Sequence, residues 1–231
     1  MKKIGILGGM SAASTALYQA RLNAQTMERL GGLHSANLLV RSLDFADIAD
    51  MQSRGDWDAA GDLLNHEARL LEAGGAEILI LATNTMHKLA DRMTEGLAIP
   101  FLHIGTATAE AVAGQGLQRP GLMATAFTME QEFYIGRLRE KGLDPVIPNA
   151  TDRATTHGII YDELCKNIIR GDSRKTYEAI AARLVDAGAD SLILGCTEVG
   201  MLLNASNVAV PVFDTTLIHC DRALDAALEG T

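Results

Sequence analysis

The chain is poor in aromatic residues (4%), in cysteine (three in 231 residues) and in positive charge, with 20 Lys and Arg against 29 Asp and Glu for a net charge of −9. Each shortage excludes something. Nucleic-acid binding needs a basic stripe, and neither the balance nor any local cluster provides one. Cys165, Cys196 and Cys220 are odd in number and lack C-x-x-C spacing, so neither a disulfide framework nor a structural zinc site is expected. Free thiols point to a reducing cytoplasm. No run of 18 or more uncharged apolar residues occurs, so no membrane span is expected. The apolar stretch after Lys2-Lys3 is only about four residues long, too short for a signal peptide. Neither G-x-G-x-x-G nor G-x-x-x-x-G-K-[ST] is present, and His34, His66, His87, His103, His157 and His219 show no H-E-x-x-H or similar ligand spacing. A dinucleotide or nucleoside triphosphate site therefore lacks its main signature, and no metal is expected.

What is present is aliphatic. Hydrophobic residues make up 48% of the chain and charged ones 21%, ordinary values for a globular core. A length of 231 residues allows one large domain or two small ones. Short β-branched or Leu-rich runs alternate with longer stretches of helical period, the pattern of βαβ units and a parallel sheet. Strands are predicted near 4–7, 37–43, 78–82, 100–103, 121–124, 145–148, 191–195 and 210–213. Helices are predicted to fill the gaps, the best of them over 14–30, 56–73, 128–141, 172–187 and 215–228. Asp56 reads as a cap, and Gly74 and Gly188 as left-handed residues that end helices.

The sequence also repeats itself. Residues 75–83 read GAEILILAT and residues 188–196 read GADSLILGC. Gly5-Ile6-Leu7-Gly8 corresponds to Gly121-Leu122-Met123-Ala124, and Ile99-Pro100-Phe101 to Val210-Pro211-Val212, in the same order and at similar offsets. Two halves of four strands each follow, the first of residues 1–104 with 214–231, the second of residues 105–213. A strand order of 2-1-3-4 puts the switch point between the first and third strands, and ligands bind beyond the carboxyl ends there. The loops concerned are 8–11 and 83–85 in the first half, and 125–128 and 196–198 in the second.

Cys196 ends an apolar strand before a short predicted helix over 198–203, where backbone N–H groups would favour a thiolate. A thiolate there could act as base or nucleophile; a buried cysteine can equally be a small hydrophobe of the core. Asn84, Thr85, Thr125, Thr128 and Thr197 offer hydroxyls and an amide suited to a carboxylate, although each can also cap a helix. Together they suggest a small anionic or zwitterionic substrate beside one thiol. Gly9-Met10-Ser11-Ala12-Ala13 is close to a G-x-S-x-G nucleophile elbow but lacks its last glycine. Cys165 and Cys220 fall within predicted helices, and His87 reads as a helix residue.

At these loops the chain resembles the aspartate/glutamate racemase family, which is cofactor-independent and built of two pseudo-symmetric α/β domains. The stretches concerned are Ile4-Gly5-Ile6-Leu7-Gly8-Gly9-Met10-Ser11, Thr83-Asn84-Thr85-Met86-His87, Thr125-Ala126-Phe127-Thr128-Met129 and Gly195-Cys196-Thr197-Glu198. The resemblance implies an α/β fold of two domains, each a four-stranded parallel sheet flanked by helices, with the active site in the cleft between them. It implies two cysteines on opposite faces of an amino acid, one removing the α-proton and the other returning it. By resemblance, Asn84, Thr85, Thr125, Thr128 and Thr197 bind the α-carboxylate and Met10 lines the pocket. The chain departs from the pattern where the first cysteine belongs, because it has Thr83, a far weaker acid than a thiol with a pKa of about 8.5. A subgroup specific for L-aspartate and L-glutamate is similar in carrying this Thr/Cys pair. Gln52 and Lys166 stand nearest to the positions that recognise an acidic side chain, and Gln52 is neutral. The resemblance also implies a homodimer. A decarboxylase of malonate-type acids, needing one cysteine as proton donor, and a non-catalytic carboxylate-binding module are the alternatives.

Overall fold

The structure, a computed structural model, describes residues 1–229. In chain order it contains β1 (Ile4–Gly8), α1 (Ala12–Leu30), β2 (Leu38–Ser42), α2 (Phe45–Arg54), α3 (Trp57–Ala73), β3 (Ile78–Leu81), α4 (Ala90–Thr94) and β4 (Phe101–Leu102). There follow α5 (Ile104–Gly114), β5 (Pro120–Met123), α6 (Ala126–Glu130), α7 (Glu132–Glu140), α8 (Ala150–Asp162), α9 (Gly171–Asp186), β6 (Ser191–Leu194), β7 (Val212–Asp214) and α10 (Thr215–Leu228). Two compact units result, one of residues Met1–His103 with His219 onward, the other of Ile104–Ile218.

The first unit carries a four-stranded parallel sheet in the order β2-β1-β3-β4, the 2-1-3-4 order expected of an open α/β sheet. Its central strands are apolar at every position because both faces are covered. Leu7, Leu79 and Leu81 pack with Leu64, Ala68 and Leu71 of α3 on one face. Ile4, Ile6, Ile78 and Ile80 pack on the other with Tyr18 and Leu22 of α1 and Ala223, Leu224 and Ala227 of α10. Alternate side chains of one strand thus feed two cores.

The second unit holds a three-stranded parallel sheet, β5-β6-β7, where four strands are expected. The segment 145–148 makes only an isolated bridge, in which Leu122 N–H donates to the Val146 carbonyl and Val146 N–H to the Pro120 carbonyl, both at 2.9 Å. Pro145 and Pro148 flank it and have no N–H, so the ladder ends after one residue. One face of the sheet packs Met123, Leu192 and Leu194 against Tyr177, Ile180 and Leu184 of α9. The other packs Leu122, Ile193 and Phe213 against Val112 of α5 and Tyr134 and Leu138 of α7.

The repeat has a packing basis. A Cβ on Gly5 would lie 2.8 Å from the Cβ of Ala76, and one on Gly121 would lie 3.3 Å from the Cβ of Ala189. In both units, a glycine of the first strand lets the turn before a neighbouring strand approach closely. Two local expectations need correction. The helix predicted over 128–141 is broken at Gln131, whose φ of −109° and ψ of 145° are extended. The left-handed residue after α3 is Gly75 (φ +89°) and not Gly74, which ends the helix in right-handed geometry with Leu39 Cδ2 only 2.6 Å from where a Cβ would be. Gly188 is left-handed as expected, with φ +93°.

Candidate active site

In the first unit the relevant loops follow β1 and β3. Gly9 has φ +95°, donates its N–H to Thr15 Oγ1 at 2.7 Å, and leaves no room for a Cβ, which would fall 2.1 Å from the Leu43 carbonyl oxygen. Ser11 caps α1 by accepting the Ser14 N–H at 3.3 Å. Ser14 Oγ in turn donates to the Ala82 carbonyl at 3.1 Å, tying the first loop to the second. Met10 packs in the same core cluster as Met86, the residue after the segment Thr83-Asn84-Thr85, and Met10 and these three are all buried. Gln52 of α2 is also buried, and its amide donates to Met86 Sδ at 3.0 Å, next to Thr85.

Beneath Thr83 lies a group of histidines. His87 belongs to the 3-10 turn Thr85–Leu89, and its Nδ1–H donates to the Thr83 carbonyl at 2.7 Å. Its ring centroid is 4.6 Å from that of His103 and 5.8 Å from that of His219. Burial, then the neighbouring His103 and His219, hold its pKa well below the usual imidazole range. His219 accepts from the Tyr18 hydroxyl at Nδ1 and donates from Nε2 to the Leu102 carbonyl, both at 2.8 Å.

In the second unit the loops follow β5 and β6. Thr125 caps α6, its Oγ1 lying 3.4 Å from Thr128 N and 3.2 Å from Thr128 Oγ1. Gly195 brings the Cys196 loop close to β5, since its Cβ would be 2.9 Å from that of Ala124. Cys196, half-buried, is followed by the 3-10 turn Thr197–Met201, and its thiol donates to Glu198 Oε2 at 2.9 Å. Burial, followed by the charge and hydrogen bond of Glu198, raises the Cys196 pKa well above the usual thiol range. The Glu198 backbone N–H does favour the thiolate, as expected, but it is outweighed, and at rest this sulfur carries its proton. Cys165 shares the neighbourhood, and burial together with Glu198 pushes its pKa up to about 12.

The residues expected at the site thus gather within their own units: Met10, Gln52, Thr83, Asn84 and Thr85 in the first, Thr125, Thr128, Cys196 and Thr197 in the second. Lys166 is exposed, in a 3-10 turn that packs against the one holding Thr197. Two further residues were assigned no role from the sequence. Glu198, two positions after Cys196, was recognisable in principle from its spacing, because a carboxylate there can reach the thiol. His157, whose Nδ1 accepts the Ala126 N–H at 3.2 Å, lies in α8, whose hydrophobic faces are weakly separated. Among the described residues no group of three or more His, Cys, Asp or Glu is placed to hold a metal ion, and no helix is long and apolar enough to cross a membrane.

An α/β chain with two parallel sheets, presenting a thiol, hydroxyls and an amide from loops at the carboxyl ends of its strands, defines a class of small-molecule site. Residues 7–223 match the model of the Asp/Glu/hydantoin racemase family, and the chain belongs to that family. A candidate Asp/Glu racemase of Yersinia pestis is similar, with 45% identity, a TM-score of 0.92 and 99% and 100% of the two chains covered. An aspartate racemase homologue of Pyrococcus horikoshii is 31% identical with a TM-score of 0.86, over 99% of this chain and 100% of that one. Aspartate racemase of Picrophilus torridus shares the fold at 21% identity and a TM-score of 0.78, over 98% and 94%. Curated 3-methyl-2-oxobutanoate hydroxymethyltransferases of Escherichia coli match over 55 residues at 49% identity. That stretch is 24% of this chain and only 20% of theirs.

Proposed function

We propose that the protein is a cofactor-independent racemase of L-aspartate or L-glutamate, in which Cys196 exchanges the α-proton on one face and Thr83 serves the other. The observation that carries the reading is the Cys196–Glu198 pair at 2.9 Å, in a chain of this family. In the L-to-D direction Glu198 takes the thiol proton, the thiolate removes the proton from Cα and becomes the thiol again, and the carbanion takes a proton from water relayed through the Thr83 hydroxyl, the hydroxide left behind taking the proton from Glu198. In the reverse direction the resting thiol is the donor. A thiolate formed where burial and a carboxylate disfavour it is a stronger base than one in water, which suits a weak carbon acid. Asn84, Thr85, Thr125, Thr128 and Thr197 hold the α-carboxylate, Met10 lines the pocket, and Gln52 and Lys166 recognise the side chain. The equilibrium constant between enantiomers is one, so kcat/KM must be equal in the two directions. A homodimer, read by light scattering, belongs to the same proposal.

The test is chiral chromatography of L-aspartate and L-glutamate after incubation with the enzyme, with Thr83→Cys alongside. Appearance of the D enantiomer from L, and of the L enantiomer from D faster with Thr83→Cys than with wild type, supports the reading; no D product from either amino acid overturns it. One observation favours a second reading. A sulfur that already carries its proton at rest is what a malonate-type decarboxylase needs for its carbanion, and CO2 release from substituted malonates without racemisation would select that chemistry.

A further inference from the structure

His157 is half-buried in α8, and its ring touches two aromatic neighbours, with centroids 4.7 Å from Tyr161 and 5.9 Å from Phe127. Its Nδ1 receives the Ala126 N–H at 3.2 Å. A backbone N–H can only donate, so Nδ1 must carry a lone pair and the ring must be neutral with its proton on Nε2. That bond joins α8 to the turn Thr125–Thr128, which bears two of the hydroxyls assigned above to the substrate's carboxylate. Protonation would place an N–H against the Ala126 N–H, two donors facing each other with no acceptor between them.

We propose that His157 is a positioning residue of this site: its neutral ring holds the Thr125–Thr128 turn in the geometry that receives a carboxylate, and protonation releases the turn. The inference rests on the racemase reading for its ligand, but the coupling between ring and turn does not. The charged groups that face the ring are Glu130 of α6 and Asp162 of α8, both of which favour the protonated form, while burial acts more strongly in the opposite direction. Glu130 is itself paired with Arg153 of α8 at 2.7 Å, and the remaining titratable neighbour, Tyr161, is neutral with a pKa raised above its ordinary value by burial. The ring therefore charges only below the ordinary imidazole pKa, and once it does a binding step that needs it neutral loses affinity about tenfold per pH unit.

The test uses the full chain in three forms, wild type, His157→Gln and His157→Leu. KM and kcat for glutamate are followed from pH 8 to pH 5, and the Ala126 amide is followed by 1H–15N NMR without substrate. A glutamine oxygen can accept the same N–H without taking up a proton. Wild type should show KM rising as pH falls while kcat changes little, and its Ala126 amide should titrate with the His157 ring. His157→Gln should flatten both curves, and His157→Leu should raise KM about tenfold or more across the range. An acid limb of KM unchanged in His157→Gln, or an Ala126 amide that does not titrate in wild type, overturns the inference. If no racemisation is found but the amide titrates as described, the racemase reading fails and the positioning role stands.

Discussion

Acidification should destabilise the first unit through His219, and the size of the effect can be worked out. The ring is wholly buried, and both nitrogens are committed, Nδ1 accepting from Tyr18 and Nε2–H donating to Leu102. Burial lowers its pKa from 6.5 to about 4. Because the folded pKa lies below the unfolded one, the unfolded chain takes up a proton first. Stability is complete above pH 6.5, falls as pH drops towards 4, and levels off below that. Each unit of pKa difference corresponds to about 1.4 kcal/mol, so by pH 5 this histidine alone costs about 2 kcal/mol. His87, shifted in the same direction, adds to the loss. The assay is urea unfolding at pH 8 and pH 5 for wild type and His219→Gln, whose amide can offer one donor and one acceptor to the same partners. The stability difference between the two pH values should be smaller in the variant by about 2 kcal/mol. An equal difference in both proteins would refute the assignment of a buried neutral His219.

Other consequences are as direct. Glu198→Gln removes the charge that raises the Cys196 pKa, so alkylation of Cys196 by iodoacetamide at pH 8, read by mass spectrometry, should accelerate while racemisation slows; slower alkylation would contradict the pairing. Arg41 holds the nearly buried Glu67 by two bonds, at 2.5 and 2.8 Å. Arg41→Met should therefore cost about 2 kcal/mol in urea unfolding, a value discounted because the arginine is half exposed. Gly9→Ala forces a side chain into a left-handed position against the Leu43 carbonyl and should cost about 3 kcal/mol or more by the same measurement.

The first sheet was legible in the sequence because Ile4–Leu7 and Ile78–Leu81 are short uninterrupted apolar runs that each follow a charged residue, Lys3 or Glu77, and such strands need cover on both faces. The repeat was legible for the same reason, since Gly5 with Ala76 and Gly121 with Ala189 meet one packing demand twice. The fourth strand of the second unit was misread because Val146 and Ile147 have the composition of a strand, while the flanking prolines decide the hydrogen bonding. Helix α2 contributes Gln52, but it is only ten residues long and its boundaries depend on the Asp44 cap and the left-handed Gly55. At the site, the loops could be located from strand ends alone. The protonation state of Cys196 could not, because burial and a side chain two residues away outweigh the backbone N–H that favours the thiolate.

The measurement that bears most directly on the account is exchange of the α-proton of L- and D-glutamate in D2O, followed by 1H NMR with wild type and Cys196→Ala. Wild type should lose the α-proton signal from the L enantiomer, and the variant should do so at least about a hundredfold more slowly, the usual minimum loss for a deleted general base. Exchange at the wild-type rate in Cys196→Ala would contradict the claim that this thiol moves the proton.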